Sequence, residues 1–176
     1  PETMTGLDIS GEAIDFCRNR YGQNHNLQFV SGTCTDLPFA EKAFDVVTNV
    51  ESSNHYADCS GFLSQVKRVL KPGGHFLFAD WRPAGEVSVL DSLLAENFEV
   101  VKKEDITEQV VNALDVDSDR RRRLVTESKS LQKYGRSFQR ILVNFAGAKG
   151  GRRYQGFAER DLLYVAYWMR NRGAEA

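Results

Sequence analysis

Asp8 stands where a short apolar run, Met4-Thr5-Gly6-Leu7, gives way to Ile9-Ser10 and the start of a helix. A carboxylate in that place has a definite chemistry. In a doubly wound nucleotide-binding sheet, the carboxyl end of the second strand delivers an acid to the two hydroxyls of a ribose. A carboxylate suits this task because it accepts hydrogen bonds and donates none. The glycine-rich turn that accompanies such an acid sits about 20 residues upstream, which here falls before Pro1. The reading that follows is a nucleotide-binding enzyme whose front end is missing from this sequence. On this segment alone a simpler use of Asp8, capping the helix that follows, stays open.

The elements that would position Asp8 alternate between strand and helix. Residues 4–8 predict a first strand, and Ser10 is a good N-cap for a helix over 11–20 with Ile14 and Cys17 on its inner face. Leu27-Gln28-Phe29-Val30 predicts a second strand ending at Ser31-Gly32. Phe44 to Val50 predicts a third, apolar enough for a strand covered on both faces. From Asp58 to Leu70, Phe62, Leu63, Val66 and Val69 recur at helical spacing. Lys71-Pro72-Gly73-Gly74 stops that helix, and His75 to Asp80 predicts a fourth strand. Strands joined by helices imply a parallel sheet with right-handed crossovers. Beyond Pro83, a helix over 86–96, a strand from Phe98 to Lys102 and a last long strand from Leu162 to Met169 are expected. Between them, residues 107–145 read as two or three helices without a strand, either a lid or substrate element or a plain cover for one sheet face. The run Arg120 to Arg123, preceded by Asp115, Asp117 and Asp119, reads as a solvated helix start.

Composition bounds the alternatives. A chain of 176 residues that is 41% hydrophobic can bury one sizeable core, so a single domain over 1–176 is expected. The net charge of −1 gives no electrostatic reason to expect a nucleic-acid partner. No apolar run is long enough for a membrane span, and no leader is visible. Cys17, Cys34 and Cys59 are odd in number and widely spaced, which fits reduced thiols in a cytoplasm. None of them has metal-ligand spacing with His25, His55 or His75, so no metal is expected.

Several segments together resemble the class I S-adenosylmethionine-dependent methyltransferases. Thr5-Gly6-Leu7-Asp8-Ile9-Ser10 is similar to that family's second strand and ribose-binding acid. Leu27 to Gly32 followed by Leu37-Pro38-Phe39 resembles its third strand and the turn beyond. Phe44-Asp45-Val46-Val47 resembles the opening of its fourth strand, and Val69-Leu70-Lys71-Pro72-Gly73-Gly74-His75-Phe76 its approach to the fifth. Within the family, Asn49 to Tyr56, Ala79-Asp80-Trp81-Arg82-Pro83 and the Arg153-Tyr154 to Tyr164 stretch look most like the phthiotriol/phenolphthiotriol dimycocerosate O-methyltransferases. The resemblance implies a Rossmann-like α/β fold, a mostly parallel sheet of seven strands with the last antiparallel, the first being absent from this chain. It also implies S-adenosyl-L-methionine as cofactor.

The resemblance further implies roles. Asp8 would hold the ribose hydroxyls and Ile9 would pack on the adenine. The family places an acid directly after the glycine at position 32. Here Thr33 stands there, followed by Cys34, so adenine recognition is expected to draw on a hydroxyl, on backbone groups or on Asp36. Asn49 and Val50, at the carboxyl end of the central strand, would lie beside the methionine part. Without a glycine loop the chain as given is expected to bind the cofactor poorly.

Methyl transfer from a sulfonium is an in-line displacement with a good leaving group, so the protein must chiefly align the nucleophile and exclude water. An oxygen nucleophile also sheds a proton. His55 is the first candidate base by its ordinary pKa, and Glu51 the second, as base or as an acceptor that orients the substrate. Tyr56, Trp81, Tyr154 and Tyr164 could line an apolar pocket or belong to the core. The expected reaction is methylation of a hydroxyl on a small hydrophobic metabolite. The alternatives are an NAD-dependent oxidoreductase, which also uses an acid on a ribose but needs a hydride-site constellation not visible here, and a degenerate, non-catalytic partner subunit.

Overall fold

The computed structural model describes residues 1–127, 141–142 and 147–173. Strand β1, Met4–Asp8, leads through Ser10 into helix α1, Gly11–Tyr21, with the Ser10 hydroxyl accepting from the Ala13 amide at 3.2 Å. That bond satisfies one of the donors every helix start leaves unpaired. Arg18 on α1 donates from Nε and Nη2 to the carbonyl of Phe29, fastening the helix to strand β2, Leu27–Ser31. β1 and β2 pair in parallel over their whole lengths, from Met4 opposite Leu27 to Asp8 opposite Ser31.

A second sheet holds most of the core. Its strands are β3, Phe44–Val50; β4, Leu70–Pro83; β5, Glu99–Asp105; and β6, Leu162–Arg170, in the order β3-β4-β6-β5. β3 runs parallel to β4, while β6 runs antiparallel to both β4 and β5. The expected antiparallel last strand is therefore present. Helix α2, Cys59–Val69, is capped by Asp58, whose carboxylate accepts from the Gly61 amide. It and α3, Val87–Asn97, lay Phe62, Leu63, Val66, Leu90 and Leu94 on one sheet face, against Phe76, Phe78, Tyr167 and Met169. Period-two alternation along β4 thus meets helical periodicity along α2.

Among the described residues, the opposite face is covered over one half. Helix α4, Thr107–Thr126, and the short helix α5, Arg152–Ala158, pack Leu114 and Phe157 against Tyr164, with Trp81, Ile106 and Val110 alongside. The other half is open: Val46 is 46% exposed, Leu77 41% and Trp168 44%. An apolar run in β3 suggested a strand covered on both faces, yet Val50 is 63% exposed. Val50 lies on the same face as Ala79, turned away from α2 and α3, where it lines an open cavity, and β3 is also a sheet edge among the described residues.

Other departures are local. The strand assignment of β4 begins directly after α2, taking in Lys71 to Gly74, where Gly73 adopts φ +75°. This extension is held by Asn171, whose amide donates to the Gly74 carbonyl and whose side chain donates to the Leu70 carbonyl. Arg120 to Arg123 lie in the second half of α4 rather than at a helix start. Most of the last part of the expected helical insertion, 128–140 and 143–145, lies outside the described residues. Cys17, Cys34 and Cys59 are free, partly buried thiols. Among the described residues no helix is long and apolar enough to cross a membrane.

Candidate active site

The carboxyl end of β3 turns sharply into a 3-10 helix, Ser53–His55. Glu51 makes the corner at φ +52°, its amide donating to the Ala79 carbonyl of the neighbouring strand at 2.9 Å. A non-glycine residue at such an angle carries a conformational cost of about 1–2 kcal/mol. The turn survives because its other residues are tied down. Asp80, at the end of the apolar part of β4, is fully buried. It accepts from the Ser53 hydroxyl at 2.6 Å, the Asn54 amide at 3.0 Å, Asn54 Nδ2 at 2.8 Å and the Trp81 amide at 2.8 Å. Arg82 Nη1 lies 3.3 Å from the same carboxylate, and Arg82 Nη2 donates to the Ser53 hydroxyl. A buried carboxylate is stable only when paired and hydrogen-bonded, and this one is both.

Against that turn opens a cavity of about 560 Å³. Its walls are mostly apolar: Val50, Ala79 and Trp81 from the sheet, Ile106, Val110 and Leu114 from the start of α4, and Phe157 from α5. Glu51, Asn54 and His55 form one polar side, while Arg121, Arg153 and Tyr164 add further polar groups. The Arg153 guanidinium sits 4.9 Å from the centre of the Trp81 ring, a cation–π contact. Such a space, apolar with a few convergent polar groups, is the usual form of a small-molecule site. The cover over it is fastened by α4: Tyr154 donates to Asp115 at 2.9 Å, Lys149 pairs with the same carboxylate at 3.0 Å, and the Ser118 hydroxyl accepts from the Lys149 amide.

Tyr164 is removed as a base by its surroundings. Burial pushes its hydroxyl up to about 12, and the nearby Glu51 and Asp80 carboxylates push in the same direction. A hydroxyl raised so far keeps its proton at neutral pH.

The residues expected from sequence divide into two groups. Val50, Glu51 and His55 line the cavity together. Asp8, Ile9, Thr33, Cys34 and Asn49 do not. Asp8 ends β1 with an exposed side chain whose Oδ1 accepts from the Ser10 amide at 2.8 Å, so the helix cap itself is Ser10. Ile9 is 76% exposed. The Thr33 hydroxyl bonds that of Thr35, and Cys34 packs against the main core, where burial raises its thiol pKa. Asn49 is buried with Nδ2 donating to the Tyr56 hydroxyl, while its Oδ1 has no donor among the described residues. Tyr56 is structural, its ring edge-on to Phe62, and Tyr154 is committed to Asp115. Trp81 and Tyr164 do face the cavity.

Sequence reasoning met Ser53 and Asn54 only inside a longer similarity and gave them no role, and it named no residue on the apolar face of α4. It met Asp80 only inside a longer similarity, although an aspartate ending an apolar strand is the same signal that drew attention to Asp8.

Comparison with known proteins points to methyltransferases. The methyltransferase domain family matches residues 2–78. The phthiotriol/phenolphthiotriol dimycocerosates methyltransferase of Mycobacterium tuberculosis is 34% identical over 168 residues, 95% of this chain and 60% of that protein. Residues 2–78 carry a methyltransferase domain, and the chain is similar to these methyltransferases over nearly its whole length. The fatty-acid O-methyltransferase of Mycolicibacterium smegmatis is 45% identical over 116 residues, 58% of this chain and 41% of that protein. The chain therefore spans between about two fifths and three fifths of the length of these relatives. Among solved structures, phosphoethanolamine N-methyltransferase 2 of Haemonchus contortus, in complex with S-adenosyl-L-methionine, superimposes with a TM-score of 0.73 at 17% identity. That match covers 94% of this chain and 42% of the other, and it shows a shared fold.

Proposed function

We propose that this methyltransferase moves a methyl group from S-adenosyl-L-methionine to an oxygen, in first place a hydroxyl, of a small lipid-like acceptor. One observation carries the reading: an apolar cavity with His55 and Glu51 together on its wall, at the carboxyl end of a parallel strand. Open α/β sheets place ligands at that end. The two relatives named for lipid substrates support the acceptor class.

The cofactor fits one further feature. Asn49 Oδ1 is buried without a donor among the described residues, and a lost partner of this kind costs about 1–3 kcal/mol. A donor on a bound ligand, such as an amino group, would satisfy it. Asp8 would hold the ribose hydroxyls, Ile9 and Val50 would give apolar contact, and Thr33 would offer a hydroxyl. Cys34, turned to the core, would contribute backbone groups. When bound, S-adenosylmethionine supplies a methyl group already activated on a sulfonium.

The chain's own residues then have three tasks. Ile106, Val110, Leu114 and Phe157 hold the acceptor's hydrocarbon and keep water from it. The strained corner at Glu51 and the turn behind it set the acceptor oxygen in line, where alignment accounts for most of the rate. His55 takes the hydroxyl proton as the new C–O bond forms, and Glu51 accepts a hydrogen bond that orients the acceptor.

Labelled S-adenosylmethionine, offered to the intact protein with 1-dodecanol or with dodecanoate, tests this. An alcohol must lose a proton and a carboxylate has none to lose. Replacing His55 by Ala should slow methylation of the alcohol about 10²–10⁴-fold and leave that of the carboxylate nearly unchanged. Equal alcohol turnover in the two proteins removes His55 from the mechanism.

A further inference from the structure

We propose that Asp80 is the positioning residue of the acceptor site, holding the turn that carries His55. The inference rests on the reading of His55 as the base but is carried by separate observations. Asp80 lines no part of the cavity, whereas its neighbours in the hydrogen-bond network, Asn54 and the adjoining His55, do. Each oxygen of the carboxylate is engaged. Oδ2 receives the Ser53 hydroxyl and the Asn54 amide, and Oδ1 receives Asn54 Nδ2 and the Trp81 amide. All four groups are donors, so only an unprotonated carboxylate satisfies them together; an amide or a carboxylic acid would turn at least one hydrogen against another.

The geometry also explains why the network is needed. The Ser53–His55 helix is a single turn, and Ser52 before it makes no side-chain cap. So short a segment has no stability of its own. Within the turn, the His55 amide finds only the Ser52 carbonyl, at 3.1 Å. Arg82 closes the arrangement by touching both Asp80 and Ser53, so a cation from β4 backs the carboxylate that holds the loop after β3. His55 is thus placed by its chain neighbours, which are placed by Asp80.

Two measurements on the intact protein test this, and the first needs no catalysis. The chain has only three histidines, so their ring-proton signals can be followed by nuclear magnetic resonance, with that of His55 assigned by its loss in His55→Ala. Asp80→Asn should shift and broaden the His55 signal and leave those of His25 and His75 in place. An unmoved His55 signal overturns the proposal. The second is a cycle of Asp80→Asn, His55→Ala and the double variant, with 1-dodecanol as acceptor. Asp80→Asn should lower kcat about 10²-fold, the size expected of a misplacement of roughly 1 Å. The double variant should be no slower than His55→Ala. Multiplying losses overturn the proposal, because Asp80 would then act elsewhere. Should His55→Ala turn over normally while the signal still shifts, the base assignment has failed and the positioning has not. If Asp80→Asn does not fold, Ser53→Ala carries the same test: it removes the shortest bond and keeps the charge, so the His55 signal should again move, and its standing still overturns the proposal.

Discussion

Two aspartates in this chain each close an apolar strand, and their fates differ. Asp80 ends the buried part of β4 on the same face as Phe76 and Phe78, is fully enclosed and receives four hydrogen bonds and a guanidinium. Asp8 ends β1, stands in solvent and bonds only the amide two residues on. The sequence signal is the same in both places; neighbours make the difference. β4 is an inner strand, flanked by β3 and β6, whereas β1 pairs with β2 alone. The proposed acceptor side is therefore built before any ligand arrives, and the proposed cofactor side is an open carboxylate that a ligand must complete.

The sharpest break of this comparison is by stability. Asp80→Ala leaves Arg82 and three neighbouring residues without their acceptor in a buried place, and should lower the unfolding free energy by about 3–5 kcal/mol. Asp8→Ala removes an exposed group and should stay within about 0.5 kcal/mol. Urea midpoints with unchanged slopes measure both. Similar losses at the two sites would end the distinction between a structural and a waiting carboxylate.

The second test reverses the order. Asp8→Asn should weaken binding of S-adenosylhomocysteine to the intact protein by about 10–100-fold, as expected when hydrogen bonds to a charged group are lost. Ser53→Ala, in the other network, should leave that affinity within about threefold. Calorimetric titration decides, and an Asp8→Asn protein that binds as tightly as the parent takes Asp8 out of the cofactor site.

Periodicity made most of the fold legible. The alternation of β1, α1, β2, β3, α2, β4 and α3 followed from apolar spacing, caps and the Pro-Gly-Gly stop, because each of those signals is local. What failed was whatever depends on neighbours in space. The apolar run of β3 read as doubly covered because composition cannot show which face of a strand its neighbours leave open. Helix α5 escaped because it spans only Arg152–Ala158 and its one buried residue, Phe157, gives no period. For the site, His55, Glu51 and Val50 were legible from their place after a strand end. Asp80, Ser53 and Asn54 were not, since 27 residues separate the hydroxyl of Ser53 from the carboxylate it meets.

The half of the sheet that α4 and α5 cover is itself held partly by charge, and acid should loosen it. The Arg120 hydrogen bond, opposed by some burial and aided by Arg121, holds the Asp117 carboxyl down at about 2. Hydrogen bonds from Lys149 and Tyr154 lower that of Asp115. At Asp105 burial pushes upward, but the hydroxyl and amide of Thr107 and the Arg160 guanidinium outweigh it, and the pKa ends low. A carboxylate whose pKa is depressed on folding stabilises fully above its ordinary value, and that contribution fades as pH falls through the folded value. The window here runs from about pH 4 down to about pH 2. With Trp168→Phe leaving Trp81 as the single indole, Trp81 fluorescence should change across that window, and Asp115→Asn, which breaks the bonds to Tyr154 and Lys149, should flatten the change. A profile indifferent to Asp117 and Asp115 would show that apolar contacts alone seat α4.

The smallest effect lies at the corner between the two aspartates' domains of influence, at Glu51. Its φ of +52° suits glycine, so Glu51→Gly should relieve strain and raise stability by about 1 kcal/mol or less, the added freedom of the unfolded chain taking back part of the gain. Glu51→Ala keeps the strain, loses the carboxylate and should show no such gain. If the carboxylate orients the acceptor, both variants raise KM for 1-dodecanol alike while only one gains stability. A Glu51→Gly protein no more stable than Glu51→Ala would mean that the turn is set wholly by the Asp80 network and that the angle at residue 51 carries no stored energy of its own.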